Sequence, residues 1–319
     1  MNAFSHHFVE TNGIRMHYVE AGQGPLVVLC HGFPESWYSW RHQIPALAEA
    51  GFRVVAPDQR GYGQTDRPQA VAEYSIFRIV GDVVGLVNAL GERTAVIVGH
   101  DWGAPVAWLA AQLRPDLFRA VGLLSVPYLP RGPMRPSALI KAIFGSKVFY
   151  QQYFQEEDKA ERDLERDVRA TMLAALYSLS GDAEGSDRWR YAFGPGETFL
   201  DSVVMPKKLP PWLTEADVDF FVGEFTRTGF RGALNWYRNI DRLWEESGFL
   251  DGARLMQPTL FVAGEKDAVV EFYGDAYRAL EANVPNLNQK VLLPGAGHWV
   301  QQERPSEVNR LLCEFLSSL

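Results

Sequence analysis

Short apolar runs separated by helix-length stretches cover most of the chain. Valine-rich runs of four to six residues predict strands buried on both faces of a parallel sheet, and they span residues 26–30, 52–56, 95–98, 120–125, 259–263 and 290–293. Helices are predicted at residues 40–50, 75–90 and 306–319, the last with an apolar stripe on one face. This alternation predicts an α/β fold, with a mostly parallel central sheet and right-handed crossovers.

The middle of the chain follows a different pattern. Four prolines between residues 127 and 136 are incompatible with a helix interior and with strand pairing, so we expect the chain to leave the sheet there. The segments that follow are helical in pattern, and Thr214 with Asp217 resembles a capping pair at the start of one helix. We therefore predict a sheet domain in two parts, residues 1–127 and 246–319, with a helical cap inserted at residues 128–245.

Composition narrows the class of protein within this architecture. The 319 residues are 47% apolar and 22% charged, and the formal net charge is −8 without any Lys- or Arg-rich block, so nucleic acid is not an expected partner. The two cysteines have no metal-ligand spacing, and no segment has the pattern of a signal peptide or a membrane span. We expect a cytoplasmic protein without a membrane span, a metal or a nucleotide cofactor.

The segment of residues 99–103, Gly-His-Asp-Trp-Gly, carries the clearest chemical signal. It joins a predicted strand to a predicted helix, and glycines on both sides permit the sharp turn that lifts a side chain above the carboxyl edge of a sheet. The segment therefore predicts a nucleophile elbow with Asp101 in the position that serine usually occupies. Taken alone, it leaves open the alternative that Asp101 only caps the following helix.

An elbow nucleophile requires an oxyanion hole, a base and an acid in a fixed chain order. The oxyanion donors are predicted to be the backbone N–H groups of Trp102 and of Phe33, which lies in the loop after an earlier strand. Only one of the seven histidines, His298, follows the elbow, so it is the predicted general base. Asp267 is the predicted orienting acid, with Glu265 as its local competitor.

A carboxylate nucleophile suits saturated carbon with a leaving group, because its attack there forms an alkyl ester on the enzyme. Two substrate classes meet this condition. An epoxide needs a proton donor at the ring oxygen as it becomes an alkoxide, whereas a haloalkane needs donors for the departing halide. The cap is therefore expected to supply the groups that distinguish the two.

Along nearly its whole length the chain resembles the soluble epoxide hydrolases of the α/β-hydrolase superfamily. Three matching segments lie in the sheet domain and two in the cap, namely residues 31–37 (HGFPESW), 99–103 (GHDWG), 297–299 (GHW), 150–156 (YQQYFQE) and 235–239 (NWYRN). The resemblance implies that Tyr153 and Tyr237 bind the epoxide oxygen and donate a proton, with Tyr150 as a neighbouring alternative. Haloalkane dehalogenases resemble the chain at the elbow and at residues 31–34 but lack the tyrosine pair.

The function that the resemblance implies is the conversion of epoxides to vicinal diols. Asp101 would form a covalent ester with the substrate, and water activated by His298 and Asp267 would hydrolyse it. The expected partner is a small hydrophobic epoxide, and a homodimer is the oligomer to test. The alternatives are a haloalkane dehalogenase with the same nucleophile and a non-catalytic small-molecule receptor.

Overall fold

The computed structural model describes residues 4–319, within which ten strands form two sheets. The strands are β1 Ser5–Thr11, β2 Ile14–Ala21, β3 Leu26–Cys30, β4 Arg53–Pro57, β5 Ala95–His100, β6 Phe118–Leu124, β7 Val148–Phe149, β8 Ala192–Phe193, β9 Thr259–Gly264 and β10 Leu287–Leu293. The large sheet has the order β1-β2-β4-β3-β5-β6-β9-β10, and β7 pairs with β8. Pairing is antiparallel for β1 with β2 and for β2 with β4, and parallel in the rest of the large sheet.

Fifteen α-helices lie within the same described residues. They are α1 Gln43–Glu49, α2 Ile76–Ala89, α3 Gly103–Leu113, α4 Pro136–Phe144, α5 Tyr150–Tyr153, α6 Lys159–Leu164, α7 Val168–Ser178, α8 Glu215–Thr228, α9 Arg231–Tyr237, α10 Ile240–Glu246, α11 Ala268–Phe272, α12 Gly274–Arg278, α13 Leu280–Asn283, α14 Val300–Glu303 and α15 Pro305–Ser317. Single 3₁₀ turns occur at Trp37–Trp40, Val71–Tyr74, Gly185–Asp187, Leu200–Ser202 and Gly248–Leu250.

The large sheet has a hydrophobic layer on each face, because successive side chains of a strand point in opposite directions. On β3, Val27 and Leu29 pack with the apolar faces of α1 and α15. Leu26 and Val28 belong to the layer on the other face, with α2 and α3. Burial on both faces explains why the inner strands are continuous apolar runs, and the predicted α/β fold is confirmed.

The six predicted strands and three predicted helices are all present, with bounds that differ by at most three residues. Two strands of the large sheet are additional to the prediction, the antiparallel strands β1 and β2 at one edge. Most of β1 is exposed. An edge strand with one neighbour needs no apolar run, so its sequence lacks the signal that identified the inner strands.

The chain between β6 and β9 leaves the large sheet, as the prolines predict. We call residues 128–245 the inserted segment. It contains the helices from α4 to α9 and nearly all of α10, whose last residue lies beyond the predicted boundary, together with the short β7–β8 pair. The predicted pair at the start of α8 is a capping box, in which Thr214 and Asp217 each bond the other's backbone N–H.

Neither a membrane-spanning helix nor a cluster of metal ligands occurs in the described part of the chain. No helix within residues 4–319 is long and apolar enough to cross a membrane. In the same range, no three His, Cys, Asp or Glu side chains are grouped so that they could hold a metal ion.

Candidate active site

The sharp turn between β5 and α3 forms the predicted elbow. Asp101 lies in it with a backbone φ of +50°, a conformation that residues with a Cβ atom rarely adopt. A Cβ atom on Gly99 would lie 2.0 Å from the Gly103 carbonyl oxygen, and one on Gly103 would lie 2.0 Å from the Cys30 carbonyl oxygen. Glycine is therefore required on both sides of the turn. The N-cap residue of α3 is Trp102, so the alternative that Asp101 serves as the helix cap is wrong.

The Asp101 carboxylate lies between a backbone donor and a histidine ring. Its Oδ1 accepts the Phe33 N–H at 2.8 Å, and its Oδ2 lies 3.5 Å from His298 Nε2. A Cβ atom on Gly32 would lie 2.4 Å from Asp101 Oδ1, so glycine is needed there as well. One carboxylate oxygen is thus fixed by the main chain, and the other faces the predicted base. The second predicted oxyanion donor, the Trp102 N–H, stays a prediction.

The acid and the base predicted from the sequence lie next to each other. His298 Nδ1 is 3.2 Å from both carboxylate oxygens of Asp267, and each residue is 2% exposed. Asp267 also accepts the Val269 N–H at 2.8 Å at the start of α11, which fixes the orientation of its carboxylate. Glu265 is exposed and accepts the Gly295 N–H at 3.3 Å. The structure therefore brings Asp267, and not Glu265, to the histidine.

Opposite charges in this buried site shift the pKa values of His298 and Asp101. Burial disfavours a charged His298 ring, but the facing carboxylates of Asp267 and Asp101 raise its pKa well above the ordinary value. Burial also opposes ionisation of Asp101, yet the hydrogen bond to His298 and the charge on that ring keep the pKa of the carboxyl below its usual range. We therefore expect an Asp101 anion beside a protonated His298 near neutral pH.

The Asp101 carboxylate opens onto two cavities. The larger has a volume of about 360 Å³ and mostly apolar walls, including Trp102, Leu243, Trp244 and Phe272. The smaller, of about 20 Å³, is also lined by His298 and Phe33. A cavity of a few hundred cubic ångströms with apolar walls is typical of small-molecule sites. The site can therefore hold an apolar ligand directly beside the carboxylate.

Two tyrosines of the inserted segment line the smaller cavity together with Asp101. They are Tyr150 at the start of α5 and Tyr237 at the end of α9, and their ring centroids are 5.9 Å apart. Burial, with the nearby charge of Asp101 as a further cause, raises the pKa of both hydroxyl groups well above the ordinary value. Both side chains are therefore neutral phenols that can donate a hydrogen bond.

Tyr153, which the resemblance assigned to this role, does not line either cavity. Its hydroxyl donates to Asp163 Oδ2 at 3.2 Å, and its ring packs against Phe193 with 5.6 Å between centroids. Tyr150 and Tyr153 are three residues apart on one short helix, so they share a face but lie nearly one turn apart along the axis. That displacement brings Tyr150 to the cavity and Tyr153 to Asp163, which corrects the expectation for Tyr153.

Two further buried residues support the site, although the sequence reasoning gave them no role. Glu35 Oε2 lies 2.7 Å from His100 Nδ1 and accepts the Gly32 N–H at 2.8 Å. His100 Nε2 donates to the His298 carbonyl oxygen at 2.7 Å. The pair therefore connects the loop that contains Gly32 and Phe33 with the backbone of the predicted base, His298. The sequence contains a signal for this pair, because Glu35 and His100 lie in two of the segments that resemble the epoxide hydrolases, residues 31–37 and 99–103.

The chain is similar to known proteins in sequence and in structure. The alpha/beta hydrolase fold family matches residues 25–305. Epoxide hydrolase A of Mycobacterium tuberculosis is 47% identical over 100% of this chain and 99% of its own length. Among solved structures, an epoxide hydrolase from an endophytic Streptomyces is 49% identical, with a TM-score of 0.97 over 100% of this chain and 96% of the other. Epoxide hydrolase A from Mycobacterium thermoresistibile is 47% identical, with a TM-score of 0.94 over 99% of both chains.

Proposed function

The chain belongs to the epoxide hydrolases of the alpha/beta hydrolase fold family, and we propose that it converts epoxides to vicinal diols through a covalent ester on Asp101. One observation carries the proposal: the carboxyl group of Asp101 and the phenol side chains of Tyr150 and Tyr237 line the same cavity. A carboxylate supplies the nucleophile for a saturated carbon, and a phenol supplies the proton that the opening ring requires.

In the first half-reaction, Asp101 Oδ2 attacks a ring carbon and the bond from that carbon to the epoxide oxygen breaks. Oδ1 is assigned to the ester carbonyl because the Phe33 N–H already holds it at 2.8 Å. The released alkoxide takes a proton from Tyr150 or Tyr237. The product of this step is a β-hydroxyalkyl ester that stays bound to the enzyme.

Ester formation also changes the state of His298. The Asp101 carboxylate loses its negative charge, which is one of the charges that raise the pKa of the ring. That pKa therefore falls, so His298 gives up its proton, and through solvent this proton restores the phenolate left by ring opening to a phenol. The neutral ring can then accept a proton from water. Asp267 still faces the ring at 3.2 Å and stabilises the imidazolium that then forms.

In the second half-reaction, His298 removes a proton from water, and the resulting hydroxide attacks the carbonyl carbon of the Asp101 ester. The oxyanion develops on Oδ1, where the Phe33 N–H donates to it, and the Trp102 N–H is proposed as the second donor. Collapse of this intermediate breaks the bond from the carbonyl carbon to the diol oxygen, which takes a proton from the His298 imidazolium, and the diol leaves. The Asp101 carboxyl group then gives its proton to His298, which restores the resting pair of an anion and an imidazolium. The oxygen that attacked the epoxide leaves with the diol, and the water oxygen stays in Asp101.

We assign the role of a cap to residues 128–245, because this segment supplies both phenols and part of the wall of the larger cavity. The apolar walls favour small hydrophobic epoxides as substrates. The cytoplasm as the compartment and the homodimer as the oligomer rest on the sequence alone.

A single-turnover experiment in ¹⁸O-labelled water tests the proposed chemistry. With enzyme in excess over an aryl epoxide, the first diol is expected to carry unlabelled oxygen, and the label is expected in the peptide that contains Asp101. A fully labelled first diol would show direct attack by water. Bromide release from a bromoalkane without any epoxide turnover would favour a dehalogenase, and absence of both activities would favour a receptor.

A further inference from the structure

Glu303, at the end of α14, has a buried carboxylate that accepts three backbone N–H groups. Its Oε2 accepts those of Gly297 at 2.8 Å and Gly181 at 2.9 Å, and its Oε1 accepts that of Trp299 at 3.0 Å. The residue is 5% exposed. Among residues 4–319 no cationic side chain forms an ion pair with it. Its partners are therefore main-chain donors from two different parts of the fold.

Two of these donors flank the predicted base. Gly297 and Trp299 are the neighbours of His298 on either side, so the carboxylate holds the backbone on both sides of the catalytic ring. Carboxylate bonds to backbone N–H groups are charge-assisted and stronger than neutral ones. The position of the His298 ring is thus tied to the position of Glu303.

The third donor belongs to the inserted segment. Gly181 follows α7, and the same stretch accepts the His298 N–H on the Leu179 carbonyl oxygen at 2.9 Å. The main chains at Gly297 and Gly181 approach so closely that a Cβ atom on Gly297 would lie 2.4 Å from the Gly181 nitrogen. The carboxylate of Glu303 therefore joins the loop of the base to the end of α7.

We propose that Glu303 is a positioning residue for the hydrolytic half-reaction, which holds the His298 loop against the end of α7 and so sets the approach of the ring to the Asp101 ester. This inference rests on the function proposed above. It concerns the second half-reaction only, because the nucleophile, Phe33 and the two phenols make no contact with this carboxylate.

The inference carries a pH dependence. Burial raises the pKa of Glu303 to about 7, although its three N–H donors act in the opposite direction. Above that pH the carboxylate can accept all three hydrogen bonds. Protonation places an O–H group opposite the N–H donors, which weakens these hydrogen bonds. Hydrolysis of the ester is therefore expected to slow as the pH falls through about 7. The charge of Asp182 acts on the carboxyl group in the same direction as burial. Two cations reach the neighbouring main chain, since Lys266 Nζ donates to the Gly181 carbonyl oxygen at 2.9 Å and Arg304 donates to the Glu303 carbonyl oxygen at 3.0 Å. His298 lies between Gly297 and Trp299, two of the three donors.

Glu303→Gln tests the proposal, because it keeps the shape but leaves only one oxygen acceptor. After mixing with excess epoxide, mass spectrometry of the Asp101 peptide measures formation and decay of the ester. We expect formation at close to the parent rate and decay slower by about 10- to 100-fold, the usual consequence of a slightly misplaced catalytic group. Glu307→Gln, an exposed glutamate on the next helix, is the matched control and is expected to match the parent in both steps.

Decay at the parent rate in Glu303→Gln, or an equal slowing of formation and decay, would overturn the proposal. If Glu303→Gln does not fold, Glu303→Asp, which keeps the charge on a shorter side chain, takes its place and must slow decay more than formation; equal rates in the two steps would overturn the inference. If the parent forms no ester, the proposed function is wrong, and hydrogen exchange then tests Glu303. The Gly297 and Trp299 N–H groups must exchange faster in Glu303→Gln, and unchanged exchange would refute the role.

Discussion

Removing single hydroxyl groups with Tyr150→Phe and Tyr237→Phe tests how the inserted segment takes part in epoxide opening. Both hydroxyls are buried and uncharged, so each can donate to the alkoxide that develops on the ring oxygen. A hydrogen bond to a charged group contributes about 1.5–3 kcal/mol, and each 1.4 kcal/mol changes a rate tenfold. Each single variant is therefore expected to form the Asp101 ester about 10- to 150-fold more slowly.

The two effects are not expected to add fully. Both phenols are proposed to donate to the same epoxide oxygen, and their ring centroids are only 5.9 Å apart, so their contributions are expected to be coupled. One remaining phenol can still donate the proton, so each single variant keeps some activity, whereas the double variant is expected to be nearly inactive. The fold is expected to survive, because only hydroxyl groups are removed.

Tyr153→Phe is the matched control, because it removes the same group from the same helix. Its loss is the bond to Asp163, so we expect about 1 kcal/mol less stability and an almost unchanged rate of ester formation. The assay is rapid mixing of enzyme in excess with epoxide, followed by quenching and mass measurement of the Asp101 peptide. A slow Tyr153→Phe beside a normal Tyr150→Phe would refute the assignment made from the structure and restore the one made from the sequence.

The remaining predictions concern the second half-reaction and the acid. In His298→Ala, Asp101 is expected to be alkylated but the ester is not expected to be hydrolysed, so the mass of one substrate should accumulate on the peptide that contains Asp101. If that peptide stays unmodified, His298 does more than act as the base of the second half-reaction. Asp267→Asn removes a charge that raises the pKa of His298, so hydrolysis of the ester is expected to slow by up to about 10⁴-fold. The same substitution has an effect of this size on the acid of the serine protease triad. Alkylation of Asp101 is expected to be much less affected. Glu265→Gln is the control, and the assignment is reversed if it shows this loss while Asp267→Asn does not.

The architecture and the chain order of the predicted nucleophile, acid and base could be predicted from the amino-acid sequence. Inner strands of a parallel sheet are buried on both faces, so they are apolar runs that can be identified without any tertiary information. The elbow was predictable because a turn this tight excludes a Cβ atom beside Asp101, which leaves glycine at positions 99 and 103. His298 followed from chain order, since it is the only histidine after the elbow.

Which of several similar side chains reaches the site depends on how the helices and loops pack together. Tyr150 and Tyr153 have the same chemistry on one helical face, and only the packing of α5 places the first at the cavity and the second at Asp163. Glu265 and Asp267 are two residues apart, and burial against the His298 ring distinguishes them. The contacts of Glu303 join residues more than a hundred positions apart. Local patterns depend on neighbours along the chain, whereas these choices depend on distances that exist only once the chain has folded.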